Sequence, residues 1–139
     1  MVVLEIGEWR FTGHLEAAAA PRSVAWLSAR LPLEGVSLHA RWSGEAAWMP
    51  IEQEVALDYE NALSYPHPGQ ILLYAGTKSG PELLLPYGYC AFACRAGELA
   101  GNHVITLEHD SSSLNSLGHA LLFRGAQRFS LRCMDTRAE

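Results

Sequence analysis

Apolar positions recur with a period of two in about nine short runs along the chain: Val2 to Ile6, Glu8 to Leu15, Val36 to Trp42, Glu45 to Met49, Ile71 to Tyr74, Glu82 to Leu85, Tyr89 to Cys94, Asn102 to Leu107 and Gln127 to Cys133. Alternation or β-branched and aromatic content in runs this short predicts strands. The period changes twice. In PRSVAWLSARLP, Val24, Leu27 and Leu31 are spaced for one helix face, Pro21 stands where a first turn tolerates it, and Pro32 stops the run, so a helix is expected over residues 21 to 31. From Ser112 to Phe123, serines at the start and Leu114, Leu117 and Leu121 three and four apart predict a second helix, which Gly125 ends. Many strands with two helices and no linker or repeat give the expected fold class: one mainly β domain over residues 1 to 139, a closed barrel of about eight strands with helices at its ends.

Composition agrees with a single packed core, since 49% of the 139 residues are hydrophobic and 18% charged. The net charge of −5, with no basic patch interleaved with aromatics, argues against nucleic acid as a partner. No apolar run reaches the roughly 18 residues that cross a bilayer, and the N-terminus lacks the basic and apolar regions of a signal peptide, so no membrane partner and a cytoplasmic location are expected. Three cysteines without a C-x-x-C spacing make neither a disulfide framework nor a zinc ribbon. A period of two places Cys90, Phe92 and Cys94 on one strand face, as buried small hydrophobes. The six histidines show no paired ligand spacing, and no P-loop, dinucleotide fingerprint or nucleophile elbow is present. No metal and no cofactor are expected.

Three long stretches resemble cyclophilins in order: FTGHLEAAAAPRSVAWLSARL the opening strand and helix, YCAFACRAGELAGNHVITLE a strand, Ala-Gly loop and strand, and SSLNSLGHALLFRGAQRFSLRC the closing helix and strand. Arg41-Trp42-Ser43-Gly44-Glu45 and Tyr65-Pro66-His67-Pro68-Gly69 are similar to two motifs of the small bacterial and archaeal minimal cyclophilin-like proteins, mostly of unknown function. The resemblance implies an eight-stranded cyclophilin-type barrel, and it implies for Arg41 the role of donating to a prolyl amide nitrogen, which lowers a rotation barrier of ~18–20 kcal/mol. Two departures argue against efficient isomerisation. WSGEAAWMP replaces the Phe-x-x-Gln-Gly-Gly segment, and Asn102-His103-Val104-Ile105 replaces a strand that supplies the aromatic floor of the proline pocket.

Aromatic and polar residues near the expected strand ends suit a small-molecule pocket. The candidate ligand contacts are Trp42, Glu45, Glu60, Asn61, Tyr65, His67, Tyr87, Tyr89 and Asn102, with Arg41 and His103 as candidate catalytic groups. Trp42 and Trp48 also fit a core or the interface of a homodimer. Pro66 and Pro68 fix two φ angles and Gly69 loosens the next joint, so YPHPG reads first as a rigid turn in front of a strand. An aromatic before proline raises the chance of a cis bond at Tyr65–Pro66. If Tyr65 and His67 wall a cleft opposite Arg41, Asn102 and His103, then His103 is placed to accept a proton or hold an anion. The expected function is binding of a small carboxylate, amide or peptide-like ligand at the barrel rim; the alternative is a weak peptidyl-prolyl cis-trans isomerase.

Overall fold

The structure, a computed structural model, describes residues 1–134. Its elements in chain order are β1 (Val2–Ile6), β2 (Trp9–Leu15), α1 (Pro21–Ser28), β3 (Leu33–His39), β4 (Gly44–Pro50), β5 (Ala62–Leu63), β6 (Gln70–Tyr74), β7 (Glu82–Cys90), β8 (Ala93–Cys94), β9 (Gly97–Glu98), β10 (Gly101–Glu108), α2 (Ser111–Arg124) and β11 (Gln127–Cys133). The expected closed barrel of eight antiparallel strands with two helices is what the chain forms. Its strands run β2-β1-β11-β3-β4-β7-β6-β10, and β10 returns to β2 through Ile105↔Leu15 to Glu108↔Thr12. Closure leaves no long edge unpaired.

Strand parity sorts the side chains. On β4, β7 and β6 the odd-numbered Met49, Leu83, Leu85, Ile71 and Leu73 point into the barrel and join the main core, where Leu114, Leu117 and Leu121 of α2 and Val24 and Leu27 of α1 also pack. The even-numbered Ala46, Leu84, Leu72 and Tyr74 point outward, yet they are buried too. The cover is the excursion between β7 and β10, which folds Phe92 and Leu99 onto that outer face and carries the β8–β9 hairpin. A strand buried on both faces is why Glu82 to Leu85 reads as an unbroken apolar run after its first residue.

Several boundaries differ from expectation. The strand expected at Glu82–Leu85 and the start of the one expected at Tyr89–Cys94 join into one nine-residue strand through Pro86 that ends at Cys90, while Ala93–Cys94 form the separate β8. Proline lacks a ladder donor, and the register irregularity between Gly44 and Ala46, whose partner is Pro86, accommodates it. The third strand is Leu33–His39 instead of Val36–Trp42, which leaves Arg41 and Trp42 in the turn before β4. Helix α2 is capped by Asp110, whose carboxylate accepts the Ser113 N–H at 2.6 Å, and not by a serine. The cis peptide bond lies at Leu31–Pro32, not at Tyr65–Pro66. The YPHPG segment is a braced turn. Gly69 has φ +86°, and a Cβ there would lie 2.6 Å from the His109 ring, while Gln70 N–H bonds back to the His67 carbonyl at 3.0 Å.

Candidate functional site

The outer-face cover is incomplete. Between the hairpin and the strands it leaves a cavity of about 790 Å³, within the range of small-molecule sites. Its floor is the outward row Trp48 and Leu84, with Pro50 and Glu82 as the next cross-strand pair. Its walls are three turns: Ala40 to Ser43 before β4, Lys78 to Pro81 before β7, and Ala93 to Ala96 in the hairpin.

Each wall is tied down. The buried Ser43 hydroxyl donates to the Ala93 carbonyl at 3.0 Å and accepts the Ala93 N–H at 3.1 Å, joining the first wall to the third. The Tyr74 hydroxyl accepts the Lys78 N–H at 2.7 Å and contacts Thr77 Oγ1 at 3.2 Å, and Ile51 N–H bonds the Pro81 carbonyl at 3.0 Å. All three walls are therefore fixed before any ligand arrives.

The electrostatics are unusual for a chain of net charge −5. Arg41, Lys78 and Arg95 line the cavity, and among the described residues none of them makes an ion pair. Lys78 Nζ lies 3.5 Å from the Glu98 carbonyl. The facing carboxyl, Glu82, is only 8% exposed, and burial pushes it up to about 7. A cationic cleft in an acidic protein attracts small anions. Trp42, more than half exposed on the rim, and the half-buried Trp48 offer flat apolar surface. Among the described residues no cluster of three or more His, Cys, Asp or Glu is placed to hold a metal, and no helix is long and apolar enough to cross a membrane.

Of the residues singled out in the sequence, the cavity gathers Arg41 and Trp42. Asn102 and His103 lie in a different place, under the segment that leads into β5. Asn102 Oδ1 accepts the Glu60 N–H at 3.1 Å, and its amide donates to Ser23 Oγ and the Asp58 carbonyl, both at 2.9 Å. Ser23 N–H in turn donates to Glu60 Oε1 at 2.5 Å, and the Asn61 amide reaches the His103 carbonyl at 3.1 Å. The His103 ring faces Thr106 Oγ1 at 2.9 Å, and that hydroxyl donates to Glu16 at 2.7 Å. Burial holds His103 below its ordinary pKa despite the nearby Glu16, and the Thr106 hydroxyl holds Glu16 below its own. Tyr65 is exposed with its hydroxyl 2.5 Å from Glu98, which holds the phenol above its usual range, and His67 is exposed. Glu45 accepts the Tyr89 N–H at 2.9 Å on the surface. Tyr87 bonds His39 Nε2 at 2.7 Å beneath α2, and burial, then Glu45, push its phenol up.

Lys78, Glu82 and Arg95 were not singled out in the sequence. Glu82 carried one signal, a lone carboxylate opening a run that is apolar on both faces; the two cations sit in glycine-flanked turns that look like any solvated loop.

Residues 2–133 match a family described as "Protein of unknown function (DUF3830)". No curated protein matches the chain. Among solved structures the fold is similar to that of McbB in complex with tryptophan, with a TM-score of 0.73 at 17% identity over 97% of this chain. The chain spans 47% of that one, and at such identity the likeness is one of fold. With the match running from β1 through β11, the chain belongs to the DUF3830 family of proteins of unknown function.

Proposed function

We propose that the chain binds a small organic carboxylate with a flat apolar body in the outer-face cavity. The observation that carries this reading is the set of three cations, without carboxylate partners among the described residues, around a floor of Trp48 and Leu84. The carboxylate sits against Arg41 and Arg95, and the ring lies on Trp48 under the edge of Trp42. A charge pair at 4 Å gains about 4 kcal/mol at an effective dielectric of 20, and desolvation and ordering offset much of that. Each guanidinium contact is then worth about 1.5–3 kcal/mol net. McbB, the similar structure, is in complex with tryptophan, which also carries a carboxylate and a flat ring, and this is consistent with the reading. Calorimetric titration with 4-ethylbenzoate tests the reading: wild type binds in the micromolar to low millimolar range and Arg41→Ala weakens it at least tenfold. Equal affinity in the two proteins contradicts it.

The unpaired Arg41 also supports the second reading, a weak peptidyl-prolyl isomerase of a cyclophilin-like barrel. Positioning supplies most of that catalysis. An assay on a prolyl peptide supports it if turnover is measurable and lost in Arg41→Ala; turnover unchanged in that variant removes it.

A further inference from the structure

The cavity has two chemically different ends. Arg41 follows Ala40, whose N–H bonds the Ala46 carbonyl at 2.8 Å, whereas Glu82 pairs with Pro50. Ala46 and Pro50 are four residues apart on β4, about 13 Å of strand. The groups packed directly beside Glu82 on the strands offer it no hydrogen bond. Pro50 and Pro81 have no N–H, Leu84 is apolar, and the Tyr74 hydroxyl is engaged with Lys78 N–H and Thr77. No hydrogen bond or ion pair to the Glu82 carboxyl is made among the described residues, and the residue is more than nine-tenths buried. It is not sealed off, however: Ser37 Oγ is the sole side-chain nitrogen or oxygen among the described residues that is both closed to solvent and without a hydrogen bond. The carboxyl is therefore open toward the cavity it lines. A buried carboxyl without a partner is costly, and a merely structural role at this position is filled as well by leucine or methionine.

We infer that Glu82 is a second recognition point, which takes an ammonium or other N–H donor at the end of the ligand remote from its carboxylate. The ligand class narrows to amino-substituted acids whose two polar groups are separated by a flat apolar spacer. This rests on the carboxylate reading above, with Arg41 and Arg95 at one end and Glu82 at the other. Binding also moves a proton. Burial pushes Glu82 up to about 7, and an ammonium beside the carboxyl favours its charged form and drives a bound proton into solvent. The charged and titratable groups around Glu82 are Tyr74 on β6, its partner across the strands, and Lys78, Arg41, Cys94 and Arg95, which line the same cavity.

The test is calorimetric, with 4-(aminomethyl)benzoate and 4-ethylbenzoate as probes of matched shape, run at pH 7 in two buffers of different ionisation enthalpy. Wild type is expected to bind the amino compound about tenfold or more tightly than the ethyl one, as one charged hydrogen bond requires, and to release protons only with the amino compound. In Glu82→Gln the preference and the proton release vanish. Equal affinity for the two probes in wild type, or a preference that survives Glu82→Gln, overturns the inference and leaves the carboxylate reading standing. If neither probe binds, both fall. Should Glu82→Gln fail to fold, the wild-type preference and its proton release decide alone.

Discussion

Glu82 and Pro50 face each other in register across β7 and β4 on the outside of the barrel, so a carboxyl that opens an apolar strand lies beside a residue with no N–H to give it. Among the described residues this buried carboxyl has no hydrogen-bond or ion-pair partner. It makes stability fall with rising pH. The unfolded chain releases the Glu82 proton near 4.5 and the folded chain holds it to about 7, so the folded state binds more protons between these values. The contribution is fully present below 4.5 and is lost as pH rises through 7. His103 and Glu16, both held below their ordinary values, act in the opposite sense as pH falls. The comparison with Glu82→Gln removes those shared effects. Urea denaturation from pH 5 to 8 should show wild type losing about 2–3 kcal/mol relative to the variant. Parallel curves for the two proteins contradict the assignment.

Asn102 joins β10 to α1 and to the segment before β5 through three hydrogen bonds. Asn102→Ala strands the Glu60 N–H and the Asp58 carbonyl in part-buried surroundings. At about 1 kcal/mol each the loss is about 2–3 kcal/mol. Thermal denaturation checks it. Because Asn102 does not line the cavity, 4-ethylbenzoate affinity of the folded variant should be unchanged; a large loss of affinity would place Asn102 in the ligand site instead.

Gly118 of α2 lies directly against the Tyr87 ring, and a Cβ there would overlap it. Tyr87 is held on its other side by His39, at 2.7 Å. Gly118→Ala is therefore expected to cost about 1–3 kcal/mol. Combined with Tyr87→Leu the two costs should be less than additive, since the second change clears the space the first one needs. Strict additivity in a double-mutant cycle would show the contact to be slack.

The three thiols differ in reach. Burial pushes Cys90 up to about 12, Cys94 lines the cavity half-buried, and Cys133 is exposed. A disulfide exchange reagent at pH 8 should modify Cys133 quickly and Cys94 slowly, with Cys90 reacting only after denaturation. 4-Ethylbenzoate should slow Cys94 alone. Protection of Cys133 instead would move the ligand to another surface.

Period-two alternation made the barrel legible because each strand has one face in the core, and the leucine spacing of α2 and Pro21 in α1 made the helices legible for the same reason. The site was harder to read. Arg41 and Trp42 stood out through their motif, but Arg95 joins them because the β8–β9 hairpin folds back over β7, and Lys78 because the β6–β7 turn lies beside it, long-range events with no local signature. Asn102 and His103 looked like site residues because polar side chains in an apolar strand usually need a reason. Their reason is visible in the structure: they hydrogen-bond the α1 start, the segment before β5 and the Thr106 hydroxyl, which in turn donates to Glu16. The bulge between His103 and Ile105 fixes which way those side chains turn, and it cannot be read from periodicity.

The central claim is that the outer-face cavity is the ligand site, and the four tryptophans report on it directly. Trp42 and Trp48 line the cavity, whereas Trp9 lines a separate cleft beside Asp110, and Trp26 sits on α1 beneath the Arg30 guanidinium. In a ¹⁵N-labelled sample titrated with 4-ethylbenzoate, the indole N–H resonances of Trp42 and Trp48 should shift and saturate together while those of Trp9 and Trp26 stay in place. Shifts confined to Trp9 or Trp26, or none at saturating ligand, would contradict the account.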